Sequence, residues 1–359
     1  MSKVLVGMSG GIDSSVAAYI LKKEGYDVQG VTMTLWKEGR TYSGEIKDSC
    51  FSPNEKQDVE KAQAVCETLG ISHTTLDIAD LYESIVLRNF RDEYLSGRTP
   101  NPCIWCNQKI KFGAMVTYAR EAGLDFDFFA TGHYARIERR GNRYCLRRGV
   151  DPTKDQSYFL YRLSQAQLAT TIFPLGGMLK SKVREIDLAL GLHPADQEES
   201  QDFYSGSYSD LIDVAPTPGD IVDTSGNVLG RHDGIWNYTI GQRRGLRVSA
   251  SQPLYVVAID VPNNRVIVGS NENIINTIVR ASNLVWGAVE SLPGSDSAIE
   301  VSAKIRSTGS PVACKAYIDS QDRLCAEFDT PVRAAAKGQS LVIYDGDTIL
   351  CGGIIDSVD

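Results

Sequence analysis

Short apolar runs alternate with amphipathic stretches through the first part of the chain. Residues 4–6 read as a buried strand, 14–23 as a helix and 28–34 as a second strand. Over 58–69, Val59, Ala62, Val65, Cys66 and Leu69 recur at helical spacing on one side. A strand over 73–77, helices over 81–95 and 110–122, and a strand over 128–131 continue the alternation. Strands separated by helices predict a parallel sheet covered on both faces, with ligands at the carboxyl ends of its strands. Residues 154–191 predict helix in two pieces, the first carrying Leu160, Leu163 and Leu168, with the break at Pro174 and Gly176-Gly177.

The pattern changes near Pro216–Gly219. From there on, short alternating runs are separated by Gly, Asn and Asp turns such as Ser225-Gly226-Asn227. Residues 255–259 and 265–268 read as a hairpin across Pro262-Asn263-Asn264. Strands over 300–305, 313–318, 324–328, 340–344 and 350–354 follow with no helix between them, which predicts a small barrel. The expected fold is an α/β N-terminal domain with a parallel sheet (1–206), a small β-rich central domain (207–274) and a C-terminal β-barrel (275–359).

Length and composition change this picture little. At 359 residues, with 42% apolar and 23% charged positions, the chain suits two or three ordinary globular domains. No apolar run approaches the ~20 residues of a bilayer span, and the N-terminus runs straight into a strand without a leader. Eight cysteines in such a chain predict a reducing compartment, and hence a cytoplasmic protein. The net charge of −8 argues against nucleic acid only weakly, because basic residues cluster. Arg136, Arg139, Arg140, Arg143, Arg147 and Arg148 form one group, and Arg243, Arg244 and Arg247 another. Each reads either as a phosphate-tracking patch or as a solvated hairpin.

Chemistry concentrates in two stretches. In the first, a strand enters Gly7-Met8-Ser9-Gly10-Gly11-Ile12-Asp13-Ser14-Ser15 and an alanine-rich helix leaves it. Glycines let the backbone approach an anion, the helix start offers free N–H groups, and the serines add hydroxyl donors. A Walker lysine is missing, so this is not a P-loop. In the second, Pro100 and Pro102 stiffen Asn101-Pro102-Cys103-Ile104-Trp105-Cys106 ahead of a helix. A helix start, Lys109 and Lys111 would favour the Cys106 thiolate, making it a candidate nucleophile. A lone Cys-x-x-Cys without a second pair is weak as a zinc site. Cys66, Cys145, Cys314, Cys325 and Cys351 read as core residues. Cys50 follows Lys47-Asp48-Ser49 in a loop that could reach the same crevice.

The Ser-Gly-Gly-x-Asp-Ser-Ser turn resembles the pyrophosphate loop of ATP-pyrophosphatases. Together with the cysteine stretch, Ala130-Thr131-Gly132-His133-Tyr134, Asp151-Pro152-Thr153-Lys154-Asp155-Gln156 and Tyr238-Thr239-Ile240-Gly241-Gln242, it makes the whole chain resemble the tRNA-specific 2-thiouridylases. The resemblance implies ATP and Mg²⁺, a tRNA anticodon stem-loop as substrate, and a sulfur-donor protein or sulfide. Gly7, Met8, Ser9, Gly10, Gly11, Ile12, Asp13, Ser14, Met33 and Gly132 would hold ATP, with Asp13 near Mg²⁺. Asn101, Pro102, Cys103, His133, Lys154, Asp155, Gln156, Arg306, Ser307 and Gln339 would meet tRNA. His133 also reads as a simple cap on the sheet end. Cys106 and Cys103 would carry the sulfur chemistry.

The chain departs from that family twice. Cys103 stands where an aspartate is usual, and Tyr204 stands where a second catalytic cysteine is expected in Glu199-Ser200-Gln201-Asp202-Phe203-Tyr204. Three accounts stay open. Cys103 replaces the lost thiol by ordinary thiol exchange. Alternatively, Cys103 and Cys106, with Cys50 as a third ligand, hold an iron–sulfur cluster. In the third account the chain binds or adenylates tRNA without sulfur transfer. Two rival classes are an amide-forming ligase, which would lack the cysteine loop and barrel, and a plain RNA-binding module, which would not need the phosphate loop.

Overall fold

The computed structural model describes residues 1–43, 49–197 and 203–359, so Lys47, Asp48 and Glu199–Asp202 lie outside the described residues. Two compact units form. The first takes Met1–Val86, Cys103–Ser207 and Asp347–Ile349, and the second Leu87–Pro102, Tyr208–Gly346 and Leu350–Asp359.

The first unit is built on a five-stranded sheet of β1 (Lys3–Gly7), β2 (Asp27–Thr34), β3 (Ser72–Asp77), β4 (Phe128–Ala130) and β7 (Thr171–Ile172). Its order is β3-β2-β1-β4-β7 and every pairing is parallel. Val4, Leu5 and Val6 are wholly buried, as the central strand of a doubly covered sheet requires. Helix α1 (Ile12–Lys23) packs Ala18 and Leu21 with Val65 and Cys66 of α2 (Glu55–Leu69) over Val4 and Val6. Ile12, Val16 and Ala17 of α1 instead meet Val183 of α5 (Lys180–Leu190) and Leu175. Because β2 and β4 flank β1 on opposite sides, the chain order reverses between β1 and β4, which opens a crevice there.

Two elements differ from the sequence pattern. The helix expected over 110–122 begins at Pro102 and runs, as α4, to 121; its middle, Cys106–Ala114, is wound as a π-helix. Proline suits a first helical position, so the sequence does permit this start. Gln167 donates its side-chain N–H groups to the carbonyls of Gln108 and Phe112, both at 2.9 Å, and so holds the widened turn from outside. The first piece of 154–191 is not one helix. It splits into Ser157–Leu160 and Gln165–Ala169, then yields β7, whose β-branched Thr171 and Ile172 extend the sheet beside β4. Helix α3 spans 79–95, with Glu83–Leu87 π-wound. Strands β5 (Ala135–Arg140) and β6 (Arg143–Arg148) form a hairpin closed at Gly141.

The second unit holds a four-stranded sheet and a barrel. In the sheet, β8 (Gly219–Asp223), β9 (Val228–His232), β10 (Tyr255–Asp260) and β11 (Arg265–Gly269) run in the order β10-β11-β8-β9. The barrel strands are β12 (Ile275–Trp286), β13 (Ile299–Lys304), β14 (Val312–Ile318), β15 (Leu324–Arg333), β16 (Ser340–Asp345) and β17 (Thr348–Val358). They follow the order β12-β15-β14-β13-β16-β17, and pairing of β12 with β17 closes the ring. The β12 strand, absent from the sequence reading, has register shifts toward both neighbours, which bend it enough to pair with β15 and β17. Val279, Ala281, Phe328, Leu341 and Ile343 fill the interior. Leu341 is wholly buried, so Leu341→Ala is expected to destabilise the second unit by about 2–5 kcal/mol. Urea unfolding followed by tryptophan fluorescence should show a lower midpoint; an unchanged midpoint would mean that the interior repacks.

Candidate active site

The turn after β1 is fixed by space and by serine hydroxyls. Gly10 has φ +73°, and a Cβ there would lie 2.8 Å from the Asp58 carbonyl oxygen and 2.9 Å from Lys61 Cβ. The Ser9 N–H donates to Ser14 Oγ at 3.2 Å; the Ser14 and Ser15 hydroxyls donate to the Gly11 carbonyl at 3.0 and 2.9 Å. This closes the loop over the start of α1, where first-turn N–H groups lack helical partners and the dipole is positive. The turn after β4 lies directly on that start. A Cβ on Gly132 would sit 2.6 Å from the Asp13 carbonyl carbon and 2.8 Å from Ser14 N.

Between the two turns is a cavity of about 370 Å³. Every residue expected to hold ATP lines it: Gly7 to Ser14 in one run, then Met33 and Gly132. His133, Lys154 and Gln156, expected near tRNA, line it too, as do Cys50 and Lys111. Asp13 Oδ1 accepts from the Tyr134 hydroxyl at 2.8 Å and from Lys180 Nζ at 2.7 Å. Lys180 starts α5, far along the chain, and no local pattern marked it. His193 was also missed. Its Nδ1 lies 2.6 Å from Asp187 Oδ1 and its Nε2 3.0 Å from the Gly10 carbonyl, so it buttresses the glycine turn from beneath. Glu55 receives the N–H groups of Leu35 and Trp36 at the end of β2; burial pushes its carboxyl above the ordinary value.

His133 sits at the end of β4, its Nδ1 2.7 Å from Thr131 Oγ1, between the rings of Phe112 and Phe173. Burial first, and the Lys111 ammonium second, hold its imidazole well below the usual range, so the ring is neutral. Gln156 Oε1 accepts the Tyr134 N–H at 2.9 Å, which orients the residue after His133. Asp155 turns inward. Its carboxylate takes Arg148 Nε at 2.9 Å and the N–H groups of Gly149 and Ser157. Asn101, Pro102, Arg306, Ser307 and Gln339 belong to the second unit. There Arg306 is exposed and donates to the Arg333 carbonyl.

The thiols correct one expectation. Cys106 lies inside α4, one turn past its start, rather than at a helix N-terminus. Burial pushes its thiol up to about 11; Lys111 pulls it down and Cys50 pushes it up, but burial wins. The resting residue is therefore a thiol. Burial also lowers the Lys111 ammonium, yet Cys106, Cys50 and Cys103 more than offset this and leave it raised. One cation thus faces three thiols. Cys50 is exposed, and Cys103 and Cys106 are half-buried. The remaining five cysteines are buried, as core residues should be. Tyr204 is 2% exposed and packs against Tyr42, Phe51 and Phe203, so aromatic packing occupies its place. Among the described residues no group of three or more His, Cys, Asp or Glu is placed to hold a metal ion.

In the first arginine cluster three carboxylates serve at least four of the six arginines. Arg136 and Arg147 both pair with Asp347, Arg140 and Arg147 with Glu138, and Arg148 with Asp155. Arg243 and Arg244 are exposed, and Arg247 lies 3.8 Å from Asp233. Among the described residues no helix is long and apolar enough to cross a membrane.

Comparison with known proteins agrees along the whole length. The profile described as tRNA methyl transferase HUP domain matches residues 2–204, that of the tRNA methyl transferase PRC-barrel domain 212–270, and that of the aminomethyltransferase beta-barrel domain 276–355. The chain is similar to the tRNA-specific 2-thiouridylase MnmA of Endomicrobium trichonymphae, at 45% identity over 98% of both chains. It is also similar to the protein of that name from Nostoc punctiforme, at 44% over 99% of both. Among solved structures, a predicted subunit of tRNA methyltransferase from Methanocaldococcus jannaschii matches at 18% identity and a TM-score of 0.32, over 59% of this chain and 85% of that one.

Two outcomes are expected. Gly132→Ala drives a methyl into the backbone of Asp13 and should weaken ATP binding by at least about tenfold, read by calorimetry; retained affinity would show that the turn can retreat. Alkylation of Cys106, followed by peptide mapping, should rise about tenfold per pH unit from pH 7, approaching its plateau near pH 11. Lys111→Met should slow it at every pH below that plateau, because the cation that lowers the thiol is gone. A plateau below pH 8 would instead show a resting thiolate.

Proposed function

The chain belongs to the tRNA-specific 2-thiouridylase family, and we propose that it replaces the C2 oxygen of a tRNA wobble uridine with sulfur at the expense of ATP. The observation that carries this reading is the cavity at the β1/β4 crevice, lined by a phosphate-cradling turn, Lys111 and Cys50; Cys103 and Cys106 do not line it but act electrostatically on the same Lys111. The matched profiles name methyl transfer, but a methyl transfer uses neither a pyrophosphate cradle nor a thiol cluster.

An amide-type C2 oxygen leaves poorly; its adenylate leaves as AMP. The Ser9–Ser15 turn and the N-terminus of α1 would hold the pyrophosphate portion of ATP, and Met33 and Gly132 would line the adenosine site. Asp13 fits Mg²⁺, since its carboxylate is a third exposed beside that turn and Mg²⁺ commonly takes one or two carboxylates plus phosphate oxygens. The ion would neutralise charge on the phosphates. Lys180 and Tyr134 fix the Asp13 carboxylate, and His133 stays neutral beside the reacting base. A wobble base lies in a single-stranded loop, so it can enter such a site at low cost.

Sulfur arrives as a persulfide borne by a donor protein: the Cys103 thiolate attacks its outer sulfur and the donor cysteine leaves as a thiolate, whereas free sulfide would attack the adenylated C2 directly and displace AMP without any persulfide. The sequence lets Cys103 either take the persulfide or resolve the disulfide with Cys106; in the first of these relays Cys103 carries the terminal sulfur. That sulfur bonds to C2 while the C2–O bond breaks and AMP leaves. Cys106, deprotonated, then attacks the Cys103 sulfur; a Cys103–Cys106 disulfide forms and 2-thiouridine departs with the electron pair. A dithiol reductant restores both thiols. Cys103 and Cys106 stand three apart on one helix, within mutual reach. The described residues do not fit an iron–sulfur cluster, so no step passes through one. A tRNA substrate and thiols that must cycle suit a reducing compartment, which supports reading the protein as cytoplasmic.

Unmodified tRNA, ATP, Mg²⁺ and a persulfide-bearing donor protein should yield 2-thiouridine and pyrophosphate. Cys106→Ser should abolish thiouridine yet leave tRNA-stimulated pyrophosphate release within about threefold, because the thiol acts after adenylation. Pyrophosphate without thiouridine from the unaltered protein would assign the chain to adenylation alone.

A further inference from the structure

The segment that delivers the catalytic cysteines is short of its own hydrogen bonds. Pro100 and Pro102 lack N–H groups, so the backbone around Asn101 cannot build a turn ladder and its carbonyls need donors from elsewhere. In the second unit those donors come from one barrel turn. Gln339 Nε2 donates to the Pro100 carbonyl at 2.9 Å and to the Thr99 carbonyl at 3.3 Å. The Thr99 N–H in turn donates to the Lys337 carbonyl at 2.8 Å.

The turn itself is rigid. Gly338 N–H donates to Ile355 at 2.9 Å, and the Ile355 N–H returns to the Gln339 carbonyl at 2.8 Å, which ties the turn to β17. Gly338 has φ +92°, and a Cβ there would lie 2.7 Å from both the Thr99 carbonyl oxygen and Glu93 Oε2. Glu93 also holds Arg98 Nε at 2.7 Å. Gly97 lies against β10 and the turn after it, with a hypothetical Cβ 2.7 Å from Val261. Thus 97–100 is gripped on successive residues, and the next positions along the chain are Asn101, Pro102 and Cys103.

We infer that Gln339 is a positioning residue for the cysteine loop: its carboxamide anchors Thr99 and Pro100 and so sets where Asn101–Cys103 stand for sulfur transfer. This departs from the tRNA contact that family resemblance gives Gln339, because both hydrogens of its NH₂ group are directed at the protein's own carbonyls. The inference rests on the thiolation reading for its consequence in turnover, but not for the anchor itself.

Gln339→Leu removes the donors; Gln339→Glu keeps the shape and turns an acceptor toward two carbonyls. Three quantities decide, measured on the full chain: tRNA affinity, single-turnover thiouridine formation, and the iodoacetamide reactivity of Cys103 and Cys106 without RNA. Both variants should hold tRNA affinity within about twofold and lose on the order of 10–100-fold in single-turnover rate. Cys103 and Cys106 should be alkylated at clearly altered rates, more so in the Glu than in the Leu variant. Gln339→Lys, which restores a donor of similar reach, should recover part of the rate and the native alkylation pattern. Weakened tRNA binding with unaltered alkylation would make Gln339 an RNA contact and overturn the inference; so would variants that leave both rate and alkylation unchanged. If the unaltered protein makes no thiouridine, the thiolation reading fails, while the alkylation comparison still decides the anchor.

Discussion

One carboxylate organises the first unit. Asp13 lies in the first turn of α1, where the helix dipole already favours an anion, and its Oδ1 draws in the Tyr134 hydroxyl and the Lys180 ammonium. Those partners come from the turn after β4 and from the start of α5, so three separated segments converge on one atom. The glycine at 132 makes the convergence possible, since any side chain there would strike the Asp13 backbone. A cavity then follows from topology. Loops leave β1 and β4 toward opposite sides, and the pinned turns form its floor.

The sulfur chemistry obeys the opposite logic. Cys106, proposed as the nucleophile, is half-buried, and desolvation by the surrounding protein raises its thiol to about 11. Lys111 offsets part of this, because a cation among three thiols stabilises whichever one loses its proton. The arrangement protects Cys106 from stray oxidants at rest, since a thiol is far less reactive than a thiolate. Near Tyr204 the chain has gone the other way. Ring packing with Tyr42, Phe51 and Phe203 replaces reactivity with apolar burial, which rigidifies the wall that Cys50 follows along the chain.

How far the sequence foretold this depends on whether the signal was local. The phosphate turn, the alternation of β1 to β4 and the barrel's strand run were all readable, because each rests on spacing or turn residues within a few positions. The hydrogen bonds made by Lys180, His193 and Gln339 were not readable. Each residue acts on a backbone or carboxylate far away in sequence, and a lysine at a helix start or a glutamine after a turn carries no local mark. The thiolate expected at Cys106 failed for a related reason. Helix dipole and lysines are visible in sequence, but the depth of burial that outweighs them is a tertiary property. Among the arginines of β5 and β6, Arg136 and Arg147 share the single carboxylate of Asp347, some two hundred residues on, a pairing that no local pattern shows.

The placement of 87–102 explains why chain order misleads about the cysteine loop. By sequence this stretch lies between β3 and β4 of the nucleotide sheet, yet it packs with the second unit. Phe90 and Tyr94 meet Tyr208, and Thr99 and Pro100 are held by the barrel turn. A loop rich in proline gains stiffness but gives up donors, so its position must be imposed by whatever surrounds it. Here that surrounding is β-structure encoded more than two hundred residues later. Helix α4 begins at Pro102, the last residue of that stretch. A barrel that merely bound RNA would have no reason to spend a buried glycine with positive φ and a glutamine amide on the backbone of Thr99 and Pro100.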